Sequence, residues 1–391
     1  MNRKCLIIIP GIPFPPVDGH KLKIYNLIKI LSKTYALHIV TIARTIPNEA
    51  EVSFIEAHSY KHSHFMQNIG QSLRNMCFNL FSNIPYQVSY FTLREVKRYL
   101  KEDQDNYEFV FLNLIRTAGY LPELSGNKIV LDMVDLLSKS YLKSSNTTSS
   151  PVYKTIYSIE ASRLLRYEKL IIEQCALTLC VNQQEAESLN EIGKVAWLPN
   201  GVKESLFQYD AFDRQYANGI AFFGTMFYQP NIDAVLWFEK HVMDKLNPDI
   251  KLYIIGARPA SIILQMAKKR RNVIITGFLD DPYLLLNSCF AHIAPMQNGG
   301  GIQNKVLETM GMGKINILTS HGANPIKGGI NGSHFLVEDE AFKMATLIND
   351  LFENPVKYEH IKANAKQLIM ENYTWQAYEH KLSKLLTTIG N

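Results

Sequence analysis

Short apolar runs alternate along the chain with stretches whose apolar residues recur every three or four positions. Residues 5–9 (Cys5-Leu6-Ile7-Ile8-Ile9) are continuous and β-branched, and Pro10-Gly11 ends them, which predicts a buried strand. A proline-rich loop runs from Gly11 to Gly19. Residues 21–32 then place Leu22, Tyr25, Leu27, Ile28 and Leu31 at helical spacing, and 37–43 read as a second strand. Strand, loop, helix, strand is the signature of a parallel sheet. Further strands are predicted at 109–112, 129–132, 177–181 and 195–198. Residues 138–151 are rich in Ser, Thr, Asn and Lys and read as a loop before a long helix over 153–175.

After an irregular polar stretch at 210–218 the pattern restarts. Strands are predicted at 220–223, 252–255, 273–275, 291–294 and 315–318, with helices at 233–246 and 303–311. The expectation is an α/β fold of two doubly wound, Rossmann-like domains, with ligand held in a cleft at the strands' carboxyl ends. The domains are placed at 1–205 and 206–374. A helical tail broken near Asn372-Tyr373-Thr374 sends its last part, 375–391, back to the first domain.

Composition narrows the function classes. A chain of 391 residues, 47% hydrophobic, exceeds what one core supports and is neither disordered nor collagen-like. Five scattered cysteines form no disulfide framework and no CxxC, which suits a reducing, cytoplasmic setting without metal. The His58/His62/His64 cluster lacks other ligands. A net charge of +5 without a concentrated basic face argues against nucleic acid. The apolar run at 5–9 is too short for a signal peptide, and none reaches the roughly 18 residues that span a bilayer. Between Tyr60 and Leu100, Lys61, Arg74, Arg94, Lys97 and Arg98 face one acid, Glu95, among many aromatics. That stretch suits peripheral contact with anionic lipid at the inner face of the plasma membrane, or equally an amphipathic helix pair packed on the sheet.

The most informative segment is 294–308, Ala-Pro-Met-Gln-Asn-Gly-Gly-Gly-Ile-Gln-Asn-Lys-Val-Leu-Glu, between a strand and a helix. Its glycines let backbone approach a ligand closely, and the helix start offers unpaired N–H groups and partial positive charge. Lys305 adds a cation, an arrangement suited to a diphosphate. Glu308, one turn on, can accept two hydrogen bonds from a ribose diol. The alternative is a flexible turn followed by a solvated helix face. A Walker A loop would need glycine at Glu308 and Ser or Thr at Ile315, and Gly11–Gly19 does not fit GxGxxG.

GGGIQNKVLETMGMGK (299–314) resembles the donor-binding loop and helix of family 4, or group 1, glycosyltransferases of the GT-B fold. Five further stretches agree in order: IPFPPVDGHKLKIYNLIKIL (12–31), DMVDLLS (132–138), LPNGV (198–202), FFGTMFYQPNIDAVLWF (222–238) and VIITGFLDDPYLLLNSC (273–289). The resemblance covers nearly the whole chain, most specifically bacterial sugar transferases of cell-surface polysaccharide pathways. It implies a nucleotide-diphosphate-sugar donor, a glycan or lipid-linked acceptor and no cofactor. Glu308 would hold the ribose, and Lys305 with the amides near Gly300, Gly301 and Ile302 the diphosphate. Phe278 and Leu279 would frame the base, with Gly224 and Asn304 completing the donor set and Gly19 facing the diphosphate across the cleft. Asp132 and Asp135 would line the acceptor side and count with Lys305 as catalytic candidates, while His20 and Arg116 would contact acceptor.

Two departures stand out. The family's Glu-x7-Glu pair would put its first glutamate at Gly300, and its usual Arg and Lys map onto Thr225 and Pro230. Lys305 would then supply the charge, and Asn298 or Gln297 would meet the sugar. The resemblance also implies retention, with the leaving phosphate taking the acceptor's proton. A nucleotide-sugar epimerase and a non-catalytic nucleotide-sugar-binding partner are the competing readings. Several residues carry blander readings: Asp132 and Asp135 as turn or helix-cap residues, Arg116 at the surface, His20 as a helix start, and Asn231 and Asp233 as caps. Arg163, Arg166 and Glu168 read as a solvated helix face.

Overall fold

The computed structural model describes residues 3–16, 19–79, 82–148, 150–298 and 302–390. The chain divides into two units, Met1–Pro199 with Glu379–Asn391, and Asn200–Tyr378. Among the described residues the first unit holds a seven-stranded parallel sheet: β1 (Lys4–Ile9), β2 (Ala36–Ala43), β3 (Lys61–Met66), β4 (Phe109–Asn113), β5 (Ile129–Val134), β6 (Leu177–Cys180) and β7 (Val195–Trp197). The second holds six: β8 (Gly219–Phe223), β9 (Lys251–Ile255), β10 (Val273–Gly277), β11 (Ala291–Ala294), β12 (Ile315–Leu318) and β13 (Leu336–Val337).

The strand orders are β3-β2-β1-β4-β5-β6-β7 and β10-β9-β8-β11-β12-β13. Each sheet therefore grows in one direction, returns to its first strand and grows in the other. The reversals fall between β1 and β4 and between β8 and β11. Helices cover both faces, so the inner strands are apolar on both sides. Leu6, Ile7 and Ile8 of β1 and Val110, Phe111 and Leu112 of β4 are all buried. In a doubly wound sheet the carboxyl ends of the strands flanking the reversal open a crevice where ligands bind. The α/β class expected from the apolar runs is the observed one.

Some elements differ from the sequence reading. Strand β3 (KHSHFM) was not predicted: it is an edge strand, half-buried along most of its length, so it lacks a continuous apolar run. Residues 138–151 are not a loop. A helix spans Leu137–Thr147 and a second spans Pro151–Gln174. The first is anchored by Leu137 and Tyr141, which pack on the core. The tail is broken as expected: a helix Glu359–Asn372 ends before buried Tyr373, whose carbonyl accepts the Val202 N–H at 2.7 Å. The last helix, Trp375–Gly390, begins in the second unit and ends in the first, where Lys33 pairs with Glu379 at 2.6 Å. Among the described residues no helix is long and apolar enough to cross a membrane.

At the carboxyl end of β9, Gly256 has φ +155°, and a Cβ there would lie 1.8 Å from the Gly224 carbonyl oxygen. Gly256→Ala is expected to destabilise the second unit by at least about 1–3 kcal/mol. A calorimetric scan should show its melting fall by about 2–4 °C per kcal/mol; an unchanged midpoint would show that this close approach can relax freely.

Candidate active site

In the second unit, β8 runs into Gly224, and β11 into Pro295 and Met296, at the point of reversal. Gly224 has φ +153°, and a Cβ on it would sit 2.8 Å from Asn231 Nδ2 and 3.5 Å from Lys305 Nζ. Only glycine leaves room for Asn231, while Lys305 sits at ordinary contact distance. Lys305 lies in the first turn of the helix Asn304–Gly311, whose N-cap Gln303 makes no side-chain cap bond. The helix start therefore leaves amide donors without a side-chain acceptor.

The Lys305 ammonium is buried. It donates to Asn231 Oδ1 at 2.6 Å, approaches Met296 Sδ at 3.6 Å and stands 4.3 Å from the Phe222 ring centroid. Among the described residues no carboxylate pairs with it, and burial pushes its pKa down to about 7. Behind it, Thr309 Oγ1 donates to Asn316 Oδ1 at 2.7 Å, an oxygen that also lies 2.8 Å from His292 Nδ1. That network fastens the helix to β11 and β12.

Glu308 follows one turn later. Burial pushes its carboxyl up to about 7, with a hydrogen bond from Tyr283 at 3.3 Å and the charge of Lys203 acting the other way. Phe278 is exposed and Leu279 half-buried just after β10. Ile302 is buried, and Asn304 Oδ1 accepts from Asn200 at 3.0 Å. Asn298 donates to Asp233 at 3.3 Å and Gln297 to the Pro295 carbonyl at 3.3 Å. Gly300 and Gly301, with Gly299, lie outside the described residues.

Asn231 is not a helix cap. It sits inside the helix Gln229–His241, buried, with Nδ2 donating to the Thr225 carbonyl at 3.0 Å and Oδ1 accepting from Lys305. Asp233 caps nothing either; it accepts from Gln229 at 2.7 Å. The sequence reading missed Asn231 and Tyr283 as neighbours of Lys305 and Glu308. The only signal for Asn231 was its place just after Pro230, where the resembled family carries a cation.

In the first unit the helix Gly19–Leu31 follows β1, with Gly19 exposed at its start. His20 Nε2 lies 2.8 Å from Oδ1 of Asn113, the last residue of β4. One turn further, Lys23 donates to Asp132 Oδ1 at 2.6 Å, and both side chains are buried, 1% and 0% exposed. Asp132, expected as an acceptor-side or catalytic carboxylate, is an interior counter-ion of Lys23, and its other oxygen, Oδ2, is buried without a hydrogen-bond partner among the described residues. It is not a turn or cap residue either.

Asp135 makes no such ion pair among the described residues. One of its oxygens, Oδ1, is buried with no hydrogen-bond partner among the described residues. Burial pushes its carboxyl up to about 6; the charges of Glu185 and Asp132 add to this and Lys23 opposes it. The backbone before it is strained: Val134 has φ +66°, and Leu114, just after β4, has φ +63°. Positive φ is costly for β-branched or bulky residues and marks places where local structure is over-determined.

Glu185 accepts the Leu136 N–H at 3.2 Å, and Glu168 accepts the Ser138 N–H at 3.0 Å and its hydroxyl at 2.5 Å. Glu168 is thus a buried helix anchor, not part of a solvated face, and burial raises its carboxyl to about 7. Arg116 is half-buried rather than a surface residue. It donates to Gln87 Oε1 at 2.9 Å and lies 5.5 Å from the Phe91 ring, with burial lowering its pKa. His62 Nε2 and His64 Nδ1 share the Thr41 hydroxyl at 3.0 and 2.9 Å. A third group, His38, Asp103 and Asp105, lies near the amino ends of the strands, where Lys4, Lys61, Tyr60 and Tyr107 already bond it.

Residues 217–354 match a family model described as glycosyl transferases group 1, a span containing Gly224, Asn231, Lys305 and Glu308. The chain's likeness is to the group 1 glycosyltransferases. Solved structures agree on the GT-B fold. HepE from Anabaena, determined with UDP, aligns at a TM-score of 0.67 and 13% identity over 98% of this chain and 100% of that one. The lipopolysaccharide outer core galactosyltransferase WaaB gives 0.65 and 14% over 98% and 99%. The sucrose-phosphate synthase of Thermosynechococcus elongatus gives 0.70 and 15% over 99% of each chain. No curated protein matches the sequence. The span that matches the group 1 model lies in the unit that holds Lys305.

Removing one partner of a buried ion pair costs about 3–5 kcal/mol, whereas replacing both with apolar residues is often neutral. Lys23→Ala is therefore expected to lower the first unit's urea midpoint sharply, and Lys23→Met with Asp132→Leu to recover most of it. A double variant no better than Lys23→Ala would mean that Asp132 has a role beyond neutralising Lys23.

Proposed function

We propose that the protein is a hexosyltransferase that moves a sugar from a nucleoside-diphosphate donor to a glycan or lipid-linked acceptor in cell-surface polysaccharide assembly. The observation that carries this reading is Lys305: a buried ammonium with no carboxylate partner among the described residues, at an uncapped helix start, one turn before Glu308. Such a cation asks for an anionic ligand, and the helix start favours the same charge. Glu308 accepts from the ribose hydroxyls, with Tyr283 holding it. Lys305, the amides from Ile302 to Asn304, and Gly300 and Gly301 take the diphosphate. Gly224 lets it approach, Phe278 and Leu279 frame the base, and Asn298 meets the sugar.

In the reaction the bond from the anomeric carbon to the phosphate oxygen breaks and a bond to the acceptor oxygen forms. Charge grows on the departing diphosphate, where a cation and helix amides stabilise it as it develops. With retention, the departing phosphate oxygen takes the acceptor's proton on the same face. Gly19, His20 and Arg116 are then the acceptor-side groups of the first unit, in a cytoplasmic enzyme at the membrane face. The five unbridged cysteines agree with such a compartment.

Asp135 supports a second reading. A carboxylate with an unpartnered oxygen and a pKa near 6 suits a general base, which would take the acceptor's proton and invert the anomeric centre. The anomeric configuration of the product decides between the two. Inversion with loss of turnover in Asp135→Asn supports the base; retention with Asp135→Asn active supports the phosphate.

Turnover of a nucleotide-sugar panel with acceptor lipid extract tests the whole proposal. Glycan growth supports transfer, a changed sugar without transfer indicates an epimerase, and binding with neither indicates a non-catalytic partner. Lys305→Met and Glu308→Ala are each expected to lower kcat/KM for donor about ten- to hundredfold, as for loss of a charge-assisted bond, with the circular dichroism spectrum unchanged. Donor affinity should also be bell-shaped around pH 7. Lys305 loses its charge above about 7, weakening the diphosphate contact, while Glu308 gains its charge there, strengthening the ribose contact. Titration calorimetry should then find only the rising limb in Lys305→Met and only the falling limb in Glu308→Gln. Both limbs persisting in both variants would remove these residues from the donor site.

A further inference from the structure

The helix Ile69–Phe78 buries only Ser72 among its side chains. Leu73 is 50% exposed and Phe78 73%, and Ile69 is exposed as well. It packs against the short helix Tyr86–Phe91, and beside the two lies a cavity of about 490 Å³. Its apolar wall comes from Val88, Ala118, Leu121, Tyr167, Leu170 and Ile171. Leu170, itself 49% exposed, and Ile84 stand at its mouth. Ser89, another lining residue, has a buried hydroxyl with no partner among the described residues.

The charge around this apolar region is one-sided. Arg94 and Lys97 line the same cavity, and Lys97 is paired with Glu123 at 3.3 Å. Arg74 of the helix Ile69–Phe78, Arg94 and Arg98 of the helix Arg94–Glu102, and Arg166 and Lys169 of the helix Pro151–Gln174 are exposed and have no carboxylate partner among the described residues. Against them stand only Glu95, Glu102 and Glu173 as exposed acids of the same helices, since Glu160 and Glu168 are buried. Exposed apolar side chains flanked by unneutralised cations favour a surface that is greasy inside and negative at its face.

We infer that this face of the first unit docks on an anionic phospholipid leaflet, with Leu73, Phe78 and Leu170 entering the acyl region, an apolar chain reaching the cavity and lipid phosphate meeting Arg94. The inference deepens the membrane setting of the proposed function and rests on that reading for its biological sense. The surface is separate from Lys305 and Glu308, so the two can fail independently.

Flotation of the full chain with vesicles tests it. Binding is expected to vesicles of phosphatidylglycerol and phosphatidylcholine, to fall with added salt, and to be absent with phosphatidylcholine alone. Arg94→Gln and Arg98→Gln should each weaken it about fivefold, the effect of one basic residue near an anionic surface. Leu73→Glu with Phe78→Glu should weaken it at least tenfold, and Leu170→Glu should add to that. Transfer to a water-soluble acceptor fragment, measured in parallel, should be unchanged in all of these variants. Absent vesicle binding with intact transfer would overturn this inference alone, and vesicle binding without transfer would support it while overturning the proposed function. A dimer in sedimentation that Leu73→Glu with Phe78→Glu dissolves, without vesicle binding, would assign the face to a second copy of the chain and overturn the lipid.

Discussion

An ammonium group taken out of water must find compensation, and the second unit is arranged around one that finds it only in part. Lys305 has an amide oxygen, a thioether and an aromatic face around it, all of which favour a cation weakly, and no carboxylate. Gly224 must be a glycine because Asn231, the partner of this ammonium, comes so close, and the network from Thr309 to His292 keeps the helix in register with the sheet. The first unit solves the same problem the opposite way. Lys23, also one turn into a helix that follows a strand, is paired with the carboxylate of Asp132. One buried lysine has a carboxylate partner within the fold, and the other has none among the described residues.

Much of this was legible in the sequence because the fold is parallel. Strands buried on both faces read as apolar runs, so β1, β4, β5, β6, β8, β9, β11 and β12 were visible within a residue or two. Edge strand β3 was not, because its pattern of Lys, His and Ser carries no such run. The helix start at Lys305 was legible from the sequence, since helix starts impose local rules. What it packs against was not. Asn231 and Lys305 are 74 positions apart, and Lys23 and Asp132 are 109 apart, so no local spacing announces either pair.

The misread stretch at 138–151 has the same origin. A helix so polar, opening without a side-chain cap of its own, looks like a loop. Its first amides are instead held by Glu168 and Glu185, carboxylates that arrive from later in the chain. The helix Tyr86–Phe91 is started in the same manner: Glu160 accepts the N–H groups of Tyr86 and Gln87, each at 3.0 Å. Glu160 and Glu168 lie two turns or so apart on the long helix Pro151–Gln174, which therefore acts as a template that starts two shorter ones. Sequence rules for helix ends assume that caps are local, and here they are borrowed.

The last helix has a consequence for how the molecule can be divided. Trp375 and Tyr378 belong to the second unit, while Glu379 onward belongs to the first, bonded to Lys33 and, through Thr388, to Lys194. Lys381 covers the Trp197 indole at 3.6 Å. A gene fragment ending at Pro199 would thus encode the whole first sheet yet leave that indole bare. Only the second unit is one contiguous stretch, so a workable split would have to lift Asn200–Tyr378 out of the first unit rather than cut the chain once.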